Sequence, residues 1–424
     1  MWKKTSAILM ALVVVLVALP AFAAKEDPIP PAPKTSKMLG PGTGEFRLGP
    51  VEVHPFAGIT ETYNDNIYKN YDALASESDF ITTLTPGVQL LLPFRSHNFQ
   101  LNYRADINRY SSRTETNYTS QLVGGEINLD FPAGLQVNVT DYYANSELPR
   151  KAKETPGLTG SADPYRALPY SSNDFNTRIK YQFVDKWAAE VRYNNYLYEY
   201  KNTYDNAGSY KRNLGGGSLF YRFTPMTDAL IDYNYSVVDY KTSDTNDNKN
   251  HSAYVGVSIE PTAMISGYLK IGYAKKDYDQ TIAGRNGPFT TFSTLVDLTY
   301  KISPLYALML KATRTIEEDT DTNAPVTITN AVLSFRYNIP WNEALSLNPF
   351  MGYGTKKFEV NTTDVDGVSK LRDDKNWSAG IGLGYAPRPW LSTNLSYTHN
   401  TNTSNFRRYD YKENIVFLNV MVSF

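Results

Sequence analysis

At 424 residues, with 42 Lys and Arg against 43 Asp and Glu, the chain has room for one large fold or two ordinary domains. The balanced charge argues against a nucleic-acid binder, which needs a basic footprint against phosphate. The absence of Cys excludes disulfides, haem thioether attachment and Cys-based zinc or iron–sulfur sites, and four His exclude a multi-haem protein.

Residues 1–23 carry Lys3 and Lys4, an apolar run from Ile8 to Leu19, and the small-residue exit Ala21, Phe22, Ala23. This three-part pattern predicts a cleaved signal peptide, because the apolar run is too short to span a membrane and Pro20 ends it. Residues 24–47, rich in Pro, Lys and Gly, read as a flexible periplasmic lead-in, and 48–424 as the folded body.

From residue 48 onward period-2 alternation recurs, as in FQLNYRADIN at 99–108, LQVNVT at 135–140, ISGYLKI at 265–271 and VFLNVMVSF at 416–424. Short turns fall at 93–97, 131–134, 184–187, 224–228, 260–263, 302–305, 339–344 and 386–390. Longer polar segments fall near 65–78, 111–117, 147–169, 201–209, 243–249, 279–290, 318–325, 360–374 and 402–411. Eight short and nine long connections alternate and join eighteen strands. The expected fold is all-β, a single transmembrane antiparallel β-barrel with short periplasmic turns and long extracellular loops. A soluble β-sandwich would also show a polar face. It would not place Phe94, Tyr103, Tyr110, Phe131, Tyr142, Tyr143, Trp187, Tyr193, Tyr196, Tyr198, Phe223, Tyr273, Trp341, Trp377, Trp390 and Phe424 near turns and strand ends, as interfacial girdles do.

The ending NVMVSF at 419–424 resembles the C-terminal signal that barrel assembly machinery reads, with Phe424 as its terminal ring. The segments PFAGITETYNDNI at 55–67 and SDFITTLTPGV at 78–88 resemble the opening of a family of β-barrel porins found beside exopolysaccharide and capsule genes. The resemblance implies an outer-membrane conduit set in lipid and lipopolysaccharide, acting with periplasmic polysaccharide-export proteins. Any helical-repeat scaffold would be a separate chain.

The parity opposite the apolar one predicts a lumen lined by Arg104, Asp106, Glu126, Asn128, Asp130, Asn138, Arg178, Lys180, Glu190, Arg192, Asp232, Asn234, Lys270, Asp297, Lys311 and Arg336. Both signs interleave, so the wall is not expected to select strongly by charge. Tyr196, Tyr198 and Tyr268 on that parity offer sugar rings an apolar face and a hydroxyl, against the plainer reading that Tyr is frequent in strands. Segment 147–169, with Pro149, Pro156, Pro164 and Pro169, is a candidate inward-folded constriction, or else an ordinary surface lid.

The leading expectation is export of exopolysaccharide. A diffusion porin for small solutes, or a structural barrel around a separate periplasmic or cytochrome partner, remain the alternatives. The acidic stretches 243–249 and 317–323 lack the ligand spacing of a calcium loop and read as solvated external loops. Gly215, Gly216 and Gly217 lie inside a strand pattern without the Lys-Ser/Thr of a phosphate loop. His54, His97, His251 and His399 show no metal spacing, and no Ser/His/Asp grouping indicates an enzyme. No metal and no cofactor are expected.

Overall fold

The computed structural model describes residues 46–71, 75–148, 168–201, 208–242, 244–260, 264–280, 287–319, 324–363 and 367–424. The signal-peptide reading and most of the lead-in lie outside these residues, as does most of the 147–169 segment.

A three-residue strand, β1 (Phe46–Leu48), pairs with the first strand of a closed antiparallel ring of eighteen. The ring runs through β2 (Val51–Asn64), β3 (Asp79–Phe94), β4 (His97–Tyr110), β5 (Tyr118–Phe131), β6 (Leu135–Leu148) and β7 (Leu168–Val184). It continues through β8 (Trp187–Tyr200), β9 (Tyr210–Thr224), β10 (Thr227–Tyr240), β11 (Asn248–Ile259), β12 (Ile265–Tyr278) and β13 (Phe289–Lys301). The remaining strands are β14 (Tyr306–Glu318), β15 (Pro325–Asn338), β16 (Leu345–Thr363), β17 (Ser369–Arg388), β18 (Leu391–Ser404) and β19 (Tyr411–Ser423), and β19 pairs with β2 to close it. Closure pairs every strand of the ring on both sides over most of its length, which is what a strand architecture in lipid requires. No helix among the described residues is long and apolar enough to cross a membrane.

Alternation separates two media. In β4, Phe99, Leu101 and Tyr103 are exposed on the outer face while Gln100, Asn102 and Asn108 are buried on the inner one. Outward rings gather near the short-turn end (Phe94, Phe131, Trp187, Phe223, Trp390, Phe424) and again higher (Tyr103, Tyr143, Tyr193, Tyr273, Trp377). Trp187 and Tyr193 are six residues apart on β8, about 20 Å of strand at roughly 3.3 Å per residue, which with tilt suits the apolar band of an outer-membrane barrel. Four expected girdle rings differ: Tyr110, Tyr142, Tyr196 and Tyr198 lie on the inward parity, and the last three are buried. Their parity places them on the polar face, where neighbouring rings or a glycine cover the buried three. Tyr142 lies over cross-strand Gly124, where a Cβ would run into its ring, and Phe350 covers Gly380 in the same way.

The 55–67 and 78–88 segments weld the ring shut. Asp65 accepts hydrogen bonds from the backbone N–H (2.6 Å) and side-chain amide (2.6 Å) of Asn414, continuing the β19–β2 seam by side chains. Fully buried Asn66 donates to the carbonyls of Asn70 and Lys412 at 2.9 Å each. Asp79 receives the backbone N–H groups of Phe80 (2.8 Å) and Arg113 (2.8 Å). At the opposite end the Phe424 N–H donates to the Pro55 carbonyl at 3.0 Å, and its ring stacks on Trp390 with centroids 6.3 Å apart.

Candidate functional site

The inner wall carries its charges mostly in pairs. On β8–β12 the Arg192 guanidinium donates to Glu190 (2.7 Å), Ser218 (2.7 Å), Asp232 (2.6 Å) and Asn234 (2.9 Å), and Lys270 also bonds Asp232. Elsewhere Arg104 meets Asp106 at 3.1 Å and Lys311 meets Asp297 at 3.6 Å. Glu126 accepts from Asn128 at 2.7 Å, and Asn128 accepts from Asn138 at 2.7 Å. Arg178, Lys180 and Arg336 enter no ion pair among the described residues. Lys180 lies over the Phe220 ring (4.6 Å to the centroid), Arg178 is exposed on the inner face beside Arg192 in register, and Arg336 is buried. Asp130 lies exposed at the short-turn end, its backbone N–H donating to His97 Nδ1 at 3.2 Å.

The inward tyrosines divide into two kinds. Tyr196 and Tyr198 pack against Tyr170 and Tyr210, with the Tyr170–Tyr198 centroids 5.1 Å apart and Tyr196–Tyr210 at 5.8 Å. Their faces are spent on one another. Tyr268 stands opposite Asp297 in register and keeps an exposed ring.

The feature that narrows the lumen is the upper end of the β14–β15 hairpin. β13 and β14 pair only from Lys301↔Ala307 to Thr294↔Arg314, although both strands continue beyond that point. Residues 289–293 pair with β12 alone among the described residues, whereas β14 stays laddered to β15 up to Glu318↔Pro325. The ladder stops beside Phe292, an outward ring packed against Tyr273 of the upper girdle. Above the girdle water can solvate a freed backbone, so separation there avoids the penalty it would carry in lipid. Released from β13, the hairpin end turns into the barrel. Glu318 accepts from Tyr240 Oη (3.0 Å, β10) and Asn248 Nδ2 (2.9 Å, β11), and pairs with Lys276 Nζ (3.5 Å, β12). These strands lie on the far side of β13, so only the inner face brings them within reach. Pro325, Val326, Thr327 and Ile328 are all buried in succession, as a segment covered on both faces must be.

Between this hairpin end and the wall of β8–β12 lies a cavity of about 210 Å³, lined among others by Tyr200, Tyr210, Tyr240, Tyr254, Arg212 and Lys276. Glu318, Tyr240, Asn248 and Lys276 were not among the sequence candidates, and the 317–323 stretch, expected as a solvated loop, has its Glu318 inside the barrel. The available signal was a change of parity: Val326 and Ile328 are apolar at even positions, whereas Leu333 and Phe335 later in the same strand are apolar at odd ones. Among the described residues no group of three or more His, Asp or Glu is placed to hold a metal.

The chain shows distant likeness to solved outer-membrane proteins. OpdK of Pseudomonas aeruginosa with vanillate matches at TM-score 0.47 and 13% identity, covering 88% of this chain and 99% of that one. OccK2 (OpdF) of the same organism, in complex with glucuronate, matches at 0.46 and 10%, covering 90% and 99%. The FrpB iron transporter of Neisseria meningitidis matches at 0.46 and 9%, covering 85% and 63%. No curated protein matches. The expectation of exopolysaccharide export is corrected by the barrel's own geometry: the hairpin end pinned by Glu318 stands inside the lumen, where a hydrated polymer would have to pass. The protein is an outer-membrane β-barrel, and because residues 42–424 match the family described as Putative beta-barrel porin 2, the chain belongs to that family.

Proposed function

We propose that the barrel is a diffusion channel for small solutes across the outer membrane. The observation that carries this reading is the β14–β15 hairpin end pinned inside the lumen by Glu318, which obstructs bulky cargo more than small molecules. The paired charges of Glu190, Arg192, Asp232 and Lys270 support it further, since groups already satisfied within the wall do not form the one-signed ring of a strict ion filter. Arg178, exposed on the inner face, is left to meet passing solutes.

The test is swelling of liposomes containing the refolded barrel, across neutral and charged solutes of rising size, beside single-channel conductance. Mono- and disaccharides and small organic acids should enter, with permeation falling steeply as size grows and little dependence on sign. Absence of permeation by every small solute would refute the channel, and passage of a long glycan at a rate close to that of a disaccharide would refute the size limit.

A further inference from the structure

The geometry points to a second position for the hairpin end: we propose that it is a two-position gate, latched inside the lumen by Glu318 and able to zip into the wall against β13. The inference deepens the channel reading by naming what controls the lumen.

Two unfinished edges carry it. Above Thr294↔Arg314 the β13 residues 289–293 have β12 on one side and no ladder to β14 on the other. The facing β14 residues, 315–318, extend beyond the same point. Continuing the existing register would pair Ser293 with Thr315, Phe292 with Ile316, Thr291 with Glu317 and Thr290 with Glu318. That register suits the side chains. Ile316, now buried against the cavity, would come beside the outward Phe292 and Tyr273 in the aromatic girdle.

Each position is held by different bonds. In the observed one Glu318 is held by Tyr240, Asn248 and Lys276. Above the ladder, side chains bridge the seam: Ser293 Oγ donates to the Arg314 carbonyl (2.7 Å) and Arg314 Nη2 donates to Thr291 Oγ1 (3.2 Å). In the other position backbone ladder bonds replace the latch, and β14 moves together with the strands laddered to it. An element with two alternative sets of bonds responds to anything that binds one set better. A solute that takes over the contacts of Glu318 shifts the gate towards the wall and widens its own path.

The chain contains no Cys, so an introduced pair is the only thiol pair present. Phe292→Cys with Ile316→Cys reports the zipped position, because the two now lie on opposite faces of the wall. Val296→Cys with Ala312→Cys, neighbours in the existing ladder, is the control for folding and oxidation. Bridging is read by mass spectrometry on barrels in liposomes. The 292/316 pair should bridge more slowly than the control, and adding Glu318→Gln should speed it several-fold. The bridged channel should conduct more than its reduced form. A 292/316 pair that stays unbridged with Glu318→Gln while the control bridges would overturn the proposal, as would bridged and reduced channels that both conduct and do so equally. The bridging result stands without conduction, so failure of the channel reading and failure of the gate are separable.

Discussion

Two corners of the same barrel obey different rules. On β4 burial alternates residue by residue from Phe99 to Arg104, because one face meets lipid and the other a polar interior. On β15 the first four residues are buried in unbroken succession, because the chain there has left the boundary between two media and entered one of them. Alternation is therefore a report of what lies on each side of a strand. Its loss locates the place where the wall has folded inward.

The largest effect is expected where the inner face is driest. Asp232, with its side chain 2% exposed, answers Arg192, Lys270 and Asn234 at once. Asp232→Leu leaves two cations short of their carboxylate and should cost about 3–5 kcal/mol, the range for breaking a buried pair. Urea unfolding from lipid vesicles measures it. A loss under about 1 kcal/mol would show that lumen water screens the network and that the inner face is wet at this level.

The outer face gives the next largest. Val191, 64% exposed, lies between the outward rings Trp187 and Tyr193. Val191→Arg places a cation in the apolar band and should cost about 2–4 kcal/mol in the same assay. The adjacent position on the strand already carries an arginine, Arg192, facing inward among its acceptors. Neutral behaviour of the substitution would mean that this face is not against lipid.

The comparison also explains what could be read from sequence alone. The strand number and the order of short and long connections were legible because alternation and turn residues are local. The sequence also supplied parity, which put Arg104, Asp232 and Lys270 on one face without any knowledge of their neighbours. Two things depended on distant partners and were not legible. Tyr196 and Tyr198 have the right parity to meet a solute, but Tyr170 and Tyr210 cover them through cross-strand register. The acidic stretch beginning at Glu317 has the composition of a solvated loop. A carboxylate looks the same in sequence whether water surrounds it or Tyr240, Asn248 and Lys276 do.

A middle-sized effect tests whether the inner face is packed as well as polar. Gly124 and Tyr142 are cross-strand partners, and a methyl group at Gly124 meets the tyrosine ring. Gly124→Ala should destabilise by about 1–3 kcal/mol, the usual penalty for overfilling a packed site. In the Tyr142→Ala background the same substitution should be close to neutral. Equal penalties in both backgrounds would assign the cost to the strand backbone and remove the ring from the account.

The smallest effect separates inside from outside by one residue type. Lys276 pairs with Glu318 at 3.5 Å with side chains 5% and 13% exposed, while Lys249 pairs with Asp279 at 2.8 Å with side chains 45% and 43% exposed. The shorter contact is the weaker one, because water and salt screen it and ordering two long exposed side chains offsets the attraction. Lys249→Ala should therefore leave the urea midpoint almost unmoved, and what small shift it gives should fade as salt is raised. Lys276→Ala, which strips a buried carboxylate of its cation, should change both stability and conductance. If Lys249→Ala proved as costly as Lys276→Ala, exposure would not be what separates the two pairs, and the loops around Asp279 would have to exclude water as thoroughly as the lumen does.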